Sequence, residues 1–300
     1  SLLLDRGARI AARTKQQYTP LMIAAHDGEE DIVRLLLTKG ADIEDCDEVG
    51  KTSLHEAARW GHRGTVSLLL ERGARIGART KQQNTPLMIA ARNDQDGVVC
   101  MLLDKGADIE DCDEDGWTSL HQAARWGHRG TVSLLLERGA RIAARTKHQD
   151  TPLMIAAYHN HEDVVRLLLT KGADIADCNE DGWTSLHQAA FRGYLSIVGL
   201  LLDRGARIAA RTKRQNTPLM IAGRNGQEDV VRLLLEKGAD IEDCEEHGET
   251  SLHRAAGRGH RGIVNLLLDR GARIAARTKQ QDTPLIIAAY NNHQDVVRLL

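Results

Sequence analysis

The chain runs to 300 residues and carries 40 lysines and arginines against 42 acidic residues, a formal net charge of −2. That balance leaves no global field to draw in nucleic acid or an acidic membrane surface. No apolar run approaches the ~18 residues of a membrane span, and with one Phe and four Trp the core must be built from Leu, Ala, Ile and Val.

Residues 1–13 read as the end of a helix followed by an extended segment. From Thr19 onward, a Thr-Pro or Thr-Ser pair followed by Leu returns at Thr52, Thr85, Thr118, Thr151, Thr184, Thr217, Thr250 and Thr283, always 33 residues apart. A fixed period of this size signals stacked supersecondary units that share a core only with their neighbours. Eight full repeats span 14–277, partial ones fill 1–13 and 278–300, and 1–300 is expected to form one all-α solenoid domain. Both ends fall inside second helices, with no initiator Met and no polar capping repeat, so a fragment of a longer array is expected.

Residues 113–145 show the elements of one repeat. Asp113 to Gly116 reads as a tight turn with Gly116 where φ is positive. Thr118 is a helix N-cap, and in alternate repeats Pro (Pro86, Pro152) follows at the first helical position. Leu120, Ala123 and Ala124 fall on one helical face, and Gly127 can end the helix in a left-handed conformation. A second helix carries Val132, Leu135 and Leu136 inward and stops at Gly139. Leu120, Ala124, Val132, Leu135 and Leu136 are expected to be buried between repeats.

Asp113, Gly116, Thr118, Leu120, His121, Ala123, Ala124, Gly127, His128, Leu135, Leu136, Gly139 and Ala140 together resemble the ankyrin repeat, whose 33-residue period and T-P-L-H-x-A motif they match. The resemblance covers the whole chain. It implies a solenoid whose inner helices and finger tips line a concave face, and a family that mostly binds other proteins there. It also implies that the repeated His is structural, bonded to finger backbone.

Two kinds of repeat alternate, giving a larger period of 66. One kind keeps the turn glycine and the Leu-His pair (His55, His121, His187, His253). The other has Met or Ile for His (Met22, Met88, Met154, Met220, Ile286) and Gln for the turn glycine (Gln17, Gln83, Gln149, Gln215, Gln281). A non-Gly residue at positive φ costs roughly 1–2 kcal/mol, so the Gln fingers are expected to be looser or differently shaped. The fingers also alternate in charge. GADIEDCDED around Asp108 is acidic and GARIAARTK around Arg141 is basic. Arg79 and Lys81 are expected to face Asp45 and Asp47 on one side and Asp111 and Asp113 on the other, acting mainly within the protein.

Cys46, Cys112, Cys178 and Cys244 recur 66 residues apart. At helix-packing spacing they stand about 20 Å from one another, beyond disulfide reach, and Cys100 has no obvious partner. Unpaired thiols suit a reducing, cytoplasmic setting. The Asp111, Asp113, Asp115, Gly116 run mimics the opening of a calcium loop, but Gln122 stands where a bidentate Glu is needed, so no metal site is expected. Ser119, His121 and Asp115 cannot form a triad, since residues two apart on a helix do not face each other. No catalytic residue and no small-molecule cofactor are expected, and the chain is not expected to be an enzyme.

Binding energy is sought in residues that do not repeat for structural reasons. The helix-end positions include Arg59, Trp60, Arg92, Asn93, Arg125, Trp126, Tyr158, His159, Phe191, Arg192, Arg224 and Arg258, and the finger positions include Trp117 and Trp183. Trp, Tyr and Arg are the residues enriched at binding hot spots. The expected partner-binding set is Arg59, Trp60, Trp117, Arg125, Trp126, Tyr158, His159, Trp183, Phe191 and Arg192. The expected partner is an extended or loop-rich protein segment. The competing expectation is a tether or spring within a larger receptor, channel or cytoskeletal adaptor, with no ligand on this face.

Overall fold

A computed structural model describes residues 9–300, so most of the partial repeat at 1–13 lies outside the described residues. The chain divides into two compact halves, the first ending at Lys147 and the second His148–Leu300. Among the described residues there are helices, turns and isolated bridges but no sheet.

In the first half, inner helices α1 (Pro20–Asp27), α3 (Ser53–Trp60), α5 (Pro86–Arg92) and α7 (Ser119–Trp126) alternate with outer helices α2 (Glu30–Thr38), α4 (Arg63–Glu71), α6 (Asp96–Asp104) and α8 (Arg129–Glu137). In the second, the inner helices are α9 (Pro152–Tyr158), α11 (Ser185–Arg192), α13 (Pro218–Arg224), α15 (Ser251–Ala256) and α17 (Pro284–Tyr290). Their outer partners are α10 (Glu162–Thr170), α12 (Leu195–Asp203), α14 (Glu228–Glu236), α16 (Arg261–Asp269) and α18 (Gln294–Val297). Within each half, every inner helix packs on its own outer helix and on the inner helices beside it.

These helices are too short to persist alone in water; caps and burial hold them. In the Met repeats the Thr85 hydroxyl accepts the Met88 N–H at 3.3 Å. In the His repeats the imidazole completes the cap. Thr52 N–H donates to His55 Nδ1 at 3.1 Å, and His55 Nε2 reaches across to the carbonyls of Ala78 (3.1 Å) and Asn84 (3.2 Å) in the next finger. One side chain thus caps a helix and ties two repeats together. Leu120, Ala124, Val132 and Leu135 are fully buried, as expected. Leu136 is only half-buried, because Thr131, Val132 and Leu135 complete the inward stripe and turn Leu136 towards the rim.

The Gln fingers are not differently shaped. Gln17, Gln83, Gln149, Gln215 and Gln281 adopt φ between 61° and 69°, the left-handed conformation that Gly116 takes at 80°. Gln83 N–H donates to Thr80 O at 2.9 Å, just as Gly116 N–H donates to Asp113 O at 3.0 Å. The turn is kept and the strain accepted. The difference lies in what packs on it. A Cβ at Gly116 would sit 2.9 Å from the Lys147 nitrogen of the following finger, whereas the exposed Gln83 side chain has room.

The finger charges pair within the protein, with a partner choice that differs from expectation. Arg79 reaches forward, to Asp111 at 2.5 Å and the Cys112 carbonyl at 3.0 Å, and also donates to Gln83 O of its own finger at 3.4 Å. The contact to the preceding finger is made by Arg75, whose Nε lies 2.8 Å from Glu44. Lys81 joins the preceding finger through its backbone, donating to Val49 O at 2.9 Å. The same two bridges recur as Arg13–Asp45 and Arg141–Glu110 in the first half, and as Arg211–Asp243 and Arg273–Glu242 in the second. Ala176 occupies the place of Glu44, and Arg207 opposite it has no side-chain partner among the described residues. An Arg79→Ala, Asp111→Ala double-mutant cycle should give a coupling of about 0.5–1 kcal/mol at low salt, shrinking near 1 M where the Debye length is about 3 Å. A coupling below about 0.2 kcal/mol at low salt would show the bridge to be energetically idle.

Candidate functional site

The capping Thr fixes the start of each inner helix, and a left-handed residue stops it, glycine in the His repeats (Gly61, Gly127, Gly193) and Asp94, Asn160 or Asn292 in others, so its last residues emerge beside the finger tips at a constant place. Those places hold the aromatic and arginine side chains. In the first half, the Arg125 guanidinium lies over both Trp117 (5.3 Å) and Trp126 (5.9 Å), and Arg92 covers Trp126 from the neighbouring repeat at 5.4 Å. Arg59 lies 5.3 Å over Trp60, whose edge meets His26 at 4.8 Å. Trp60 and Trp126 are each 47% exposed. A groove of about 470 Å³ opens beside Trp126, bordered also by Val49, Lys51, Arg59, Arg92 and Asn93.

In the second half, Phe191 sits between Tyr158, stacked at 6.4 Å, and Trp183, edge-on at 5.7 Å. Arg192 lies 4.9 Å over Tyr158, and its Nε donates to the Tyr194 hydroxyl at 3.3 Å. His159 meets the edge of Tyr158 at 5.1 Å and stacks on His161 at 6.4 Å. A second groove of about 530 Å³ runs along Trp183 and Phe191 to Arg224 and Arg258.

The ten expected residues therefore fall into three groups: Arg59 with Trp60; Trp117, Arg125 and Trp126; and Tyr158, His159, Trp183, Phe191 and Arg192. Most of the arginines stack on rings, so the planar guanidinium stiffens the aromatic surface while keeping its N–H edge in water. The expected set omitted Arg92, Arg224 and Arg258, which border the grooves. All three stand at helix-end positions, which was the available signal.

The motifs that imitate other chemistry are committed to the fingers. Asp113 Oδ1 accepts the N–H groups of Asp115 (3.0 Å) and Trp117 (2.9 Å), and Asp111 holds Arg79. His121 Nδ1 faces the Thr118 hydroxyl at 2.9 Å and Nε2 the Ala144 carbonyl at 3.2 Å, so neither nitrogen is aimed at Ser119. Glu245, Glu246 and His247 converge within 4.8 Å at one finger, where Glu245 already accepts the N–H groups of His247 (2.8 Å) and Glu249 (3.1 Å). No described helix is long and apolar enough to cross a membrane.

Comparison with known families agrees with this geometry. A family model described as ankyrin repeats (3 copies) matches residues 1–80, 75–146, 144–212, 175–245, 208–278 and 242–300. No curated protein matches the chain.

Proposed function

Since the chain belongs to the ankyrin-repeat family, whose members are generally non-catalytic protein-interaction modules, we infer that it is a scaffold binding a protein partner through its inner-helix ends and finger tips. The Trp117–Arg125–Trp126 assembly with Arg92, half-buried at Trp117 and exposed at the other three, is the main support, because it places large rigid surface and fixed charge where the core has no use for either. The occupant is an extended or loop-rich segment, long enough to meet the aromatic sites of successive repeats. Residues 1–300 act as one array under this reading, and five cysteines outside any disulfide support a reducing, cytoplasmic setting.

The test begins with a partner isolated on the intact chain. Trp126→Ala should weaken its binding by roughly thirtyfold, the loss typical of one hot-spot aromatic, and leave thermal unfolding nearly unchanged. Normal binding by Trp126→Ala and Trp183→Ala, with loss on substitution of outer-helix residues, would move the interface to the other face. If no partner is retained on either face, the tether reading takes its place.

A further inference from the structure

In the second half, the row of helix-end positions that carries Tyr158, Phe191 and Arg224 continues with Gly257 and Tyr290. Gly257 has φ −68°, so its backbone does not require glycine. What glycine provides is space. A Cβ there would stand 2.8 Å from Ile287 Cγ2, and a whole side chain would fill the groove of about 270 Å³ bordered by Arg224, Glu249, Arg254, Gly257, Arg258 and Asn291. Arg224 and Arg258 also border the larger groove that holds Trp183 and Phe191. A path therefore leads from an aromatic wall to a cationic one.

The three arginines of this path are not equivalent. Arg254 is neutralised, with Nε 2.8 Å from Glu249 and Nη2 3.3 Å from Glu245. Arg224 and Arg258 are exposed, lie over no ring, and make no side-chain hydrogen bond or ion pair among the described residues. Partial burial, and then the charges of Arg254 and Arg258, push the Arg224 pKa below the ordinary arginine value. Two like charges without an ion-pair partner, the Arg224 one offset in part by Glu249, leave a repulsion beside an open groove that an anion would relieve, and the guanidinium fork matches a carboxylate in shape.

We propose that the Arg224–Arg258 groove captures an acidic side chain of a protein segment, whose apolar neighbour seats against Phe191 and Trp183. A single carboxylate suits the site better than a phosphate dianion, because Glu249 borders the same groove and repels added negative charge. The assignment rests on the partner-binding reading of this face and adds the chemistry of what is bound.

Three pools of short fluorescein-labelled peptides test it, random except for a central Leu-Glu-Glu, Leu-Gln-Gln or Leu-phosphoserine-Glu. Each is titrated into the full chain at low salt and followed by anisotropy. The Leu-Glu-Glu pool should bind about tenfold more tightly than the Leu-Gln-Gln pool. The double variant Arg224→Gln, Arg258→Gln should erase that difference, while Arg129→Gln, which removes an exposed arginine from an outer helix, should preserve it. Equal binding of the first two pools, or a preference that survives in the double variant, overturns acid capture. If that equal binding is still lost on Trp183→Ala, the broader reading of the face stands. Absence of saturable binding by the Leu-Glu-Glu pool overturns the proposal outright. A phosphoserine pool that binds tenfold more tightly reassigns the groove to phosphate.

Discussion

Acidification from about pH 6.5 to pH 4 should strip several kcal/mol from the stability of this chain. His55 and His187 are fully buried, and desolvation is the main force that pushes each from 6.5 to about 4, against the hydrogen bonds they give to finger carbonyls. His253 is lowered for the same reason. In each, Nδ1 receives the capping N–H and Nε2–H donates to the next finger, so the neutral ring satisfies every bond and a second proton has nowhere to go. The unfolded chain takes up a proton below pH 6.5 and the folded chain does not until about pH 4. With more protons bound on the unfolded side, stability falls as pH drops through that window and levels off below it. One site alone corresponds to roughly 3 kcal/mol, at 1.36 kcal/mol per pKa unit. Denaturant unfolding between pH 7 and 4.5 measures the slope. His187→Gln should be less stable at neutral pH and should lose about one proton from the pH dependence. A flat profile, or an unaltered slope in that variant, would remove the neutral imidazole from the account.

The second large effect concerns one methyl group. Gly116→Ala should destabilise the chain by about 2–4 kcal/mol, combining left-handed strain with a clash that lies in backbone. The new Cβ would stand 2.9 Å from Lys147 N and 3.2 Å from Thr146 C, where Lys147 N–H donates to Asp115 O at 2.8 Å. Gln83→Gly offers the opposite change in the alternate finger. It relieves the strain at φ 63° and should stabilise by up to about 1 kcal/mol. Thermal and denaturant unfolding report both. A Gly116→Ala chain within 0.5 kcal/mol of the parent, inside the usual range of surface substitutions, would show that the fingers yield easily.

Much of this architecture was legible in the sequence because the physics repeats. The Thr caps, the Leu and Ala stripe and the glycine stops return in every repeat, and the buried His could be assigned a backbone-binding role on its resemblance. Pairing was harder to read. Charge alternation announced ion pairs between fingers, but not that Arg75 turns back to Glu44 while Arg79 reaches forward to Asp111. That choice depends on where each guanidinium emerges, Arg75 at the start of the 75–78 turn and Arg79 just after it. The Gln fingers misled because intrinsic strain of roughly 1–2 kcal/mol looks decisive in a string of letters, whereas the turn hydrogen bond and the bridges to both neighbouring fingers together hold the same conformation. Arg224 and Arg258 were visible as helix-end residues. What set them apart, the lack of an ion-pair partner or a stacked ring among the described residues, belongs to the folded arrangement only.

The two finger types also determine how such a chain can be recombined. A glycine finger offers its tip carbonyl and its missing Cβ to the Gln finger after it, as Asp115 and Gly116 do for Lys147. A Gln finger offers a different carbonyl to the glycine finger after it, as Gln82 does for Glu114 and His148 for Glu180. The junctions are of two kinds and do not interchange. An exchange that adds or removes one glycine finger together with one Gln finger leaves every junction with its proper neighbour. Unequal crossover by a single finger would set two like fingers side by side, with like charges facing and the wrong carbonyl presented. The pair, not the single repeat, is therefore the smallest unit whose exchange keeps both kinds of junction intact.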